Sequence, residues 1–134
     1  MASIDAIEGI GPKYATKLRK ARIRTTEALL KRGTDRAGRR QLAQQTGFNS
    51  HQILEWVNRA DLFRVKGIGK EYSDLLEASG VNTVKELRTR NAANLTDKMV
   101  EINNTKRLVR RLPTESMVQR WIADAKKLAP AVKY

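Results

Sequence analysis

The sequence predicts an all-α fold containing a tandem duplication of one helical unit. The first observation is an internal repeat, because a shift of 58 residues places residues 65–88 on residues 7–30. Such self-similarity is typical of a supersecondary unit used more than once. The second observation is that no run of alternating β-branched residues lasts long enough to predict a strand. The identical pairs are Gly9 and Gly67, Ile10 and Ile68, Gly11 and Gly69, Tyr14 and Tyr72, Leu18 and Leu76, Thr25 and Thr83, and Leu29 and Leu87.

The repeat continues into a helix that carries one tryptophan in each copy. With seven extra residues allowed in the second copy, SHQILEWVNRA aligns with ESMVQRWIADA and places Trp56 on Trp121. Each copy is thus predicted to contain a glycine turn flanked by helices, a connecting segment and a tryptophan helix. We expect the copies to span residues 1–62 and 63–134 and to pack as one compact body.

Helix-start signals agree with this organisation. Pro12 stands at a first-turn position, where the missing N–H of proline costs nothing. The segment TVKE at 83–86 has the pattern of a capping box. Ser50 and Thr114 are the predicted N-caps of the two tryptophan helices.

Three polar segments lie between these helices. RGTDRAGRR at 32–40 and TRNAANLTD at 89–97 are predicted as loops or short helical connectors. KRLVRR at 106–111 has two interpretations: a second phosphate-binding patch, or the polar side of a helix. The sequence favours neither interpretation over the other.

The charge of the chain indicates a polyanionic partner. Lysine and arginine number 27 against 14 acidic residues, which gives a formal net charge of +13. An excess of this size attracts polyanions over long range and gains free energy from counterion release. DNA, RNA, an acidic protein and an anionic membrane all meet this requirement.

Composition excludes several kinds of site. The chain has no cysteine, which excludes disulfides, thiolate catalysis and zinc sites that need sulfur. His51 is the single histidine, so an all-histidine metal site within one chain is also excluded. No apolar stretch approaches the ~20 residues that cross a bilayer, and the amino terminus lacks the basic start and apolar core of a signal peptide. We therefore expect a cytoplasmic protein without a membrane partner.

The glycines at positions 9 and 11 predict a tight turn that leads directly into a helix. Glycine permits positive φ and lets another backbone approach without a Cβ in the way. Ile10 is expected to point inward as an anchor, and a helix is expected to begin at about Pro12. The first N–H groups of a helix have no intrahelical partner and carry partial positive charge, so an anion is a natural ligand there.

The segment IEGIGPKYATKLRKARIRTTEALL, residues 7–30, strongly resembles the helix-hairpin-helix motif of DNA repair and replication proteins. DNA polymerases of the beta type, NAD-dependent ligases and Holliday junction binding proteins carry this motif. The whole chain also resembles a bacterial domain family of unknown function that contains the repeated hairpin. The resemblance implies a SAM-like helical bundle that binds the DNA backbone without sequence preference, usually across the minor groove. Some members of the motif family hold a monovalent cation on hairpin carbonyls, so the resemblance also implies a site for such an ion at a hairpin of this chain.

The two copies differ at the position where the motif places a phosphate-binding lysine. That position falls on Lys13 in the first copy and on Glu71 in the second. Residues 7–32 contain 8 basic and 2 acidic side chains, whereas residues 65–90 contain 5 and 4, so we expect the first hairpin to dominate binding. At ~100° per residue, the three lysines of the first helix share a stripe about 60° wide. The candidate binding residues are Gly9, Ile10, Gly11, Lys13, Lys17 and Lys20 in the first copy, and Gly67, Ile68, Gly69 and Lys70 in the second.

The aromatic residues are predicted to build the core. Trp56 and Trp121 occupy matching places with apolar neighbours, which favours packing over base stacking. Tyr14 and Tyr72 are expected to be core residues for the same reason. His51 is expected at the surface without a catalytic role.

The sequence therefore predicts a non-enzymatic protein that binds duplex or structured DNA through its backbone. No carboxylate pair, such as Asp97 and Glu101, joins a histidine or a plausible metal set. We expect no cofactor and no small-molecule substrate, and the single ion implied is the monovalent cation of the motif. Two alternatives remain: a protein-interaction adaptor or self-associating scaffold, and a binder of structured RNA.

Overall fold

The computed structural model describes residues 2–7 and 9–134. Over these residues the chain forms one short 3-10 helix and eight α-helices without a β-strand, and an isolated antiparallel bridge joins Ser3 to Thr25. The predicted all-α class is therefore confirmed. In chain order the elements are the 3-10 helix Ile4–Ala6, α1 Pro12–Lys20, α2 Thr26–Arg32, α3 Arg36–Thr46, α4 Ser50–Leu62, α5 Lys70–Ala78, α6 Val84–Leu87, α7 Ala92–Lys106 and α8 Glu115–Lys127.

The eight α-helices fall into two groups by the way they begin. Helices α1 and α5 begin after Gly11 and Gly69, which provide no side-chain cap. Each of the other six begins after a residue whose side chain accepts a hydrogen bond from a first-turn N–H. Among the α-helices of the described residues, a first turn without a side-chain cap is thus confined to the two that follow a glycine turn. The six capping residues are Thr25, Asp35, Asn49, Thr83, Asn91 and Thr114.

The predicted caps are confirmed at two positions and wrong at a third. Thr114 accepts a hydrogen bond from the Met117 N–H at 3.1 Å, and Thr83 accepts from the Glu86 N–H. Ser50 is instead the first residue of α4, because the side chain of Asn49 accepts the hydrogen bond from the first turn.

Both predicted connectors belong to substantial helices. The segment 32–40 runs into α3, and the segment 89–97 runs into α7. Each helix packs on a tryptophan helix, α3 on α4 and α7 on α8. Buried Leu42 and Leu95 lie on these helices, and tertiary packing of such residues outweighs the weak local signal.

The segment 106–111 is not the polar side of a helix, so that interpretation is wrong. Helix α7 ends at Lys106, and Arg107 adopts the left-handed conformation with φ 49°. Residues 107–114 then form the connection to α8. A left-handed residue after the last turn is a common helix stop.

The apolar side chains form two clusters, each built around one tryptophan. The first cluster draws on residues 4–60 and the second on residues 62–125. Trp56 is 3% exposed and Trp121 is 2% exposed, so the prediction that both are core residues is confirmed. Each indole lies beneath a glycine turn, at Gly9 and Gly67 respectively.

Polar contacts from the end of α4 join the two clusters. Asp61 is 1% exposed, and its carboxylate accepts from the Arg64 side chain at 2.9 Å and from the Val84 N–H of α6 at 2.8 Å. Two residues earlier, Arg59 forms ion pairs with Asp74 and with Glu77 of α5. These contacts fix α5 and α6 relative to α4.

The residues after α8 return to the first cluster. Ala131 and Val132 pack against it, and the Lys133 N–H donates to the Thr34 carbonyl at 2.8 Å. The buried side chain of Arg39 donates to the carbonyls of Gly33 and Lys133, each at 2.8 Å. The chain therefore closes on itself, with its last residues held against α2 and α3. Among the described residues, none of the helices combines the length and apolar character that crossing a bilayer requires.

Candidate nucleic-acid interface

The first glycine turn exposes its two glycines and buries the residue between them. Ile10 is 3% exposed, which confirms its predicted role as an anchor. Its N–H donates to the Ile7 carbonyl at 3.1 Å. Gly9 and Gly11 lie at the surface on either side of it. The turn therefore presents backbone rather than side chain to an approaching molecule.

The two glycines of this turn differ in whether the fold requires a glycine at that position. Gly9 has φ +89°, and a Cβ there would lie 3.6 Å from the indole nitrogen of Trp56. Other residues rarely adopt this conformation. Gly11 has φ −80° and ψ −177°, which any residue adopts, and a Cβ there meets no atom within 4 Å. The fold thus requires a glycine at position 9 and does not require one at position 11.

Helix α1 begins immediately after the turn, at Pro12 as predicted. Proline has no N–H, so the first donors of the helix are those of Lys13 and Tyr14. Donors in the first turn have no carbonyl four residues earlier within the helix. With Gly11 as N-cap, no capping side chain covers them. The positive end of the helix dipole is therefore open toward the surface.

The three predicted lysines stand beside this helix start. Lys13, Lys17 and Lys20 are all exposed. The Lys17 ammonium lies 5.4 Å from the centre of the Phe48 ring, within the range of a cation–π contact. Phe48 lies in the connection between α3 and α4, so this contact could not be read from the repeat. The lysines line one side of α1 from its exposed end onward.

An aromatic cluster supports the first turn from below. The rings of Tyr14 and Phe48 are 5.3 Å apart, and those of Phe48 and Trp56 are 5.2 Å apart, both edge to face. Tyr14 is 37% exposed, so the expectation that it is a core residue is wrong. Its ring covers Phe48 and Trp56 with one side and leaves the other side at the surface, next to the lysines of α1.

The second glycine turn has nearly the same backbone. Gly67 has φ +93°, and a Cβ there would lie 3.2 Å from the indole nitrogen of Trp121. Ile68 is buried. Gly69 has φ −113°, and a Cβ there meets no atom within 4 Å. Lys70 is exposed at the first position of α5. The structure thus brings each set of predicted turn residues together locally, at two separate places.

The acidic residues of α5 explain the difference in charge between the copies. Asp74 and Glu77 both pair with Arg59 of α4, so their carboxylates hold α5 against the first half of the chain. Sequence reasoning missed this role because Arg59 is 15 and 18 positions away from its partners. Glu71 remains exposed near the start of α5. Helix α5 therefore offers a phosphate less positive charge than α1 does.

Over the described residues, no group of three or more histidine and acidic side chains is close enough to hold a metal ion.

The described part of the chain does contain surface cavities, and one of about 360 Å³ is lined by residues that include Arg36, Arg39, Arg40, His51 and Tyr134. His51 is exposed there, as expected, and its Nε2 lies 3.3 Å from the Glu55 carboxylate.

The model of a family described as Domain of unknown function (DUF4332) matches residues 8–128. No curated protein and no solved structure matches the chain.

Proposed function

We propose that this chain, which belongs to the DUF4332 family, is a non-enzymatic cytoplasmic protein that binds duplex or structured DNA through the phosphate backbone. The first glycine turn and α1 provide the dominant contact, and the second turn contributes less. In this proposal residues 1–62 and 63–134 are two helix-hairpin-helix units, each with its own tryptophan helix. Backbone donors read no base sequence, so binding is independent of sequence.

The observation that carries the proposal is that position 11 holds a glycine although the fold does not need one there. The backbone conformation at this position suits any residue, and a side chain would meet nothing within the protein. A glycine that the fold does not need is best explained by a ligand that must come close to the backbone. It also stands at the start of a helix whose first donors no side chain caps. A phosphate at this place would accept those donors.

Charge supports the same ligand. Lys13 and Lys17 are exposed on the helix that begins at Gly11, and within the described residues neither pairs with a carboxylate. The ammonium groups of lysines beside an anion site attract the neighbouring phosphates of the same nucleic-acid backbone. A backbone with a phosphate every few ångströms can therefore meet the turn and the lysines together.

Replacing Gly11 by Ala is expected to weaken DNA binding without reducing stability. The methyl group would stand between the helix start and the phosphate, and loss of a charge-assisted hydrogen bond lowers affinity by roughly 10- to 100-fold. The free energy of unfolding should stay the same or rise by up to about 1 kcal/mol, because Ala has fewer unfolded conformations than Gly. Denaturant unfolding and fluorescence anisotropy with a labelled duplex measure the two effects.

Gly9→Ala is the contrasting variant for that experiment. Its φ of +89° should make the substitution cost roughly 1–2 kcal/mol of stability. Wild-type DNA affinity in a well-folded Gly11→Ala protein would contradict the proposed approach of a phosphate to this turn.

The salt dependence of binding tests the proposed function itself. Contact with ~4 phosphates predicts a slope near −3.6 when the logarithm of the association constant is plotted against that of the salt concentration. The measurement compares a DNA duplex with an RNA duplex of equal length. Tighter binding of the RNA would favour the RNA alternative. Failure to bind either duplex in dilute buffer would leave the adaptor alternative.

A further inference from the structure

Four cations cluster in the connection between α7 and α8. Lys106 ends α7, and Arg107, Arg110 and Arg111 follow in the segment that we call the basic loop, residues 107–112. All four side chains are exposed. In the part of the chain that the structure describes, none of them forms an ion pair with a carboxylate. By contrast, Arg59 and Arg64 are engaged by acidic partners.

The basic loop is held in place at both ends. The Asn103 side chain accepts from the Val109 N–H at 3.0 Å and donates to the Val109 carbonyl at 3.2 Å. Val109 itself is buried, and so is Pro113 beyond the loop. Arg110 and Arg111 lie between these two anchors. Their positions are therefore set by the fold, which lowers the entropy lost when they bind a ligand.

The loop is attached directly to the helix that follows the second glycine turn. The Tyr72 hydroxyl of α5 donates to the Arg111 carbonyl at 3.0 Å. The Tyr72 ring lies 5.2 Å from the ring of Trp121, and the indole of Trp121 lies directly beneath Gly67. An unbroken series of contacts thus joins the basic loop to the second turn.

Two further cations lie beside that turn. A surface cavity of about 270 Å³ lies against Gly67 and is lined by the side chains of Lys66 and Arg120, together with Trp121. Met117 and Asp124 complete the lining. The second turn therefore has basic side chains around it, although α5 itself supplies acidic ones.

The corresponding connection in the first half shows what the extra residues add. Three residues, 47–49, join α3 to α4, whereas eight residues, 107–114, join α7 to α8. In the first half, Phe48 of this connection packs on Tyr14. In the second half, Arg111 of the longer connection meets Tyr72 at the matching position. The additional length brings the arginine-containing loop to Tyr72 of α5, the helix that follows the second turn.

We propose that the basic loop is a second phosphate-binding element, which adds cations near the second turn, where Lys70 is the one basic residue of α5. The inference rests on the proposed function, and its partner is the same nucleic-acid duplex. Arginine suits this role because its planar guanidinium donates to two phosphate oxygens at once. The protein then holds a duplex at two places: by lysines and backbone at the first turn, and by arginines at the second.

The matched test compares two double charge reversals. Arg110→Glu with Arg111→Glu is expected to weaken duplex binding by roughly 10- to 100-fold and to make the salt slope shallower by about 1.8, the value for two phosphates. The Tyr72 hydroxyl donates to the backbone carbonyl of Arg111, which both substitutions keep, so the loop should stay in place. Lys126→Glu with Lys127→Glu makes the same change in net charge at the far end of α8, about 16 Å along the helix from its start. This control is expected to keep most of the affinity and the full slope.

Amide chemical shifts of the 15.2 kDa protein, measured while a DNA duplex is added, separate this inference from the proposed function. We expect shifts at Gly11 and Lys13 and also at residues 107–112. In the loop variant the first set should persist and the second should vanish. Shifts confined to the first turn would overturn the inference and leave the proposed function standing. Absence of shifts at both places would overturn both the inference and the proposed function. Equal losses of affinity in the loop variant and in its control would overturn the inference alone.

Discussion

Replacing Lys13 and Lys17 together by Glu is expected to weaken duplex binding by at least about 100-fold at ~0.1 M salt. Each lost phosphate contact removes about one factor of ten at this salt concentration, and the new carboxylates repel the backbone in addition. Both side chains are exposed, so helix content and Tm should change little. Fluorescence anisotropy with a labelled duplex measures the affinity, and circular dichroism measures the fold.

Two comparisons show whether the effect belongs to the first turn. Lys126→Glu with Lys127→Glu changes the net charge by the same amount elsewhere on the surface, and Lys70→Glu changes the start of α5. Both are expected to do much less than the α1 variant. An equal loss in the Lys126 and Lys127 variant would mean that overall charge, rather than the turn and its lysines, accounts for binding.

Replacing Asp61 by Ala is expected to lower the free energy of unfolding by about 1–3 kcal/mol, since it leaves the buried Val84 N–H without a hydrogen-bond acceptor. The carboxylate is 1% exposed. Its loss would leave the Arg64 guanidinium without its acid and the Val84 N–H without an acceptor. Denaturant unfolding at constant pH measures the change.

Asp5→Ala serves as the matched control for this stability experiment. Asp5 forms an exposed ion pair with Arg19 at 3.8 Å, and pairs of this kind contribute about 0–1 kcal/mol. Asp61→Ala should therefore destabilise the protein several times more than Asp5→Ala. Similar small losses in both variants would show that the contact between α4 and α6 does not hold the second half in place.

Predictions from local chemistry succeed where neighbouring residues decide the outcome. The start of α1 at Pro12 follows from the fixed φ of proline and its missing donor. The burial of Ile10 follows from a lone apolar residue between two glycines. The caps at Thr83 and Thr114 follow from hydroxyl groups that stand before a helix. Each of these features involves residues within one or two turns of one another.

Apart from the cap predicted at Ser50, where the adjacent Asn49 takes the role, predictions fail where a distant partner decides. Tyr14 is half at the surface because Phe48, from another element, occupies the space beneath its ring. Residues 36–40 and 92–97 become helical because α3 and α7 pack on the tryptophan helices. For the candidate site, the turns and the lysines of α1 could be identified from the repeat. The position of the basic loop beside the second turn could not, because a contact between Tyr72 and Arg111 depends on how α5, α7 and α8 pack.

By itself, the amino-acid sequence determined the helical class, the two glycine turns, the tryptophan cores and the surplus of positive charge, because composition and short-range stereochemistry are enough for these. Only the tertiary structure decided that the fold makes no demand for a glycine at position 11, that Asp74 and Glu77 pair with Arg59, and that the basic loop is bound to Tyr72 of α5. The physical reason is that each of these depends on the distance between atoms far apart along the chain, and packing of the helices sets that distance.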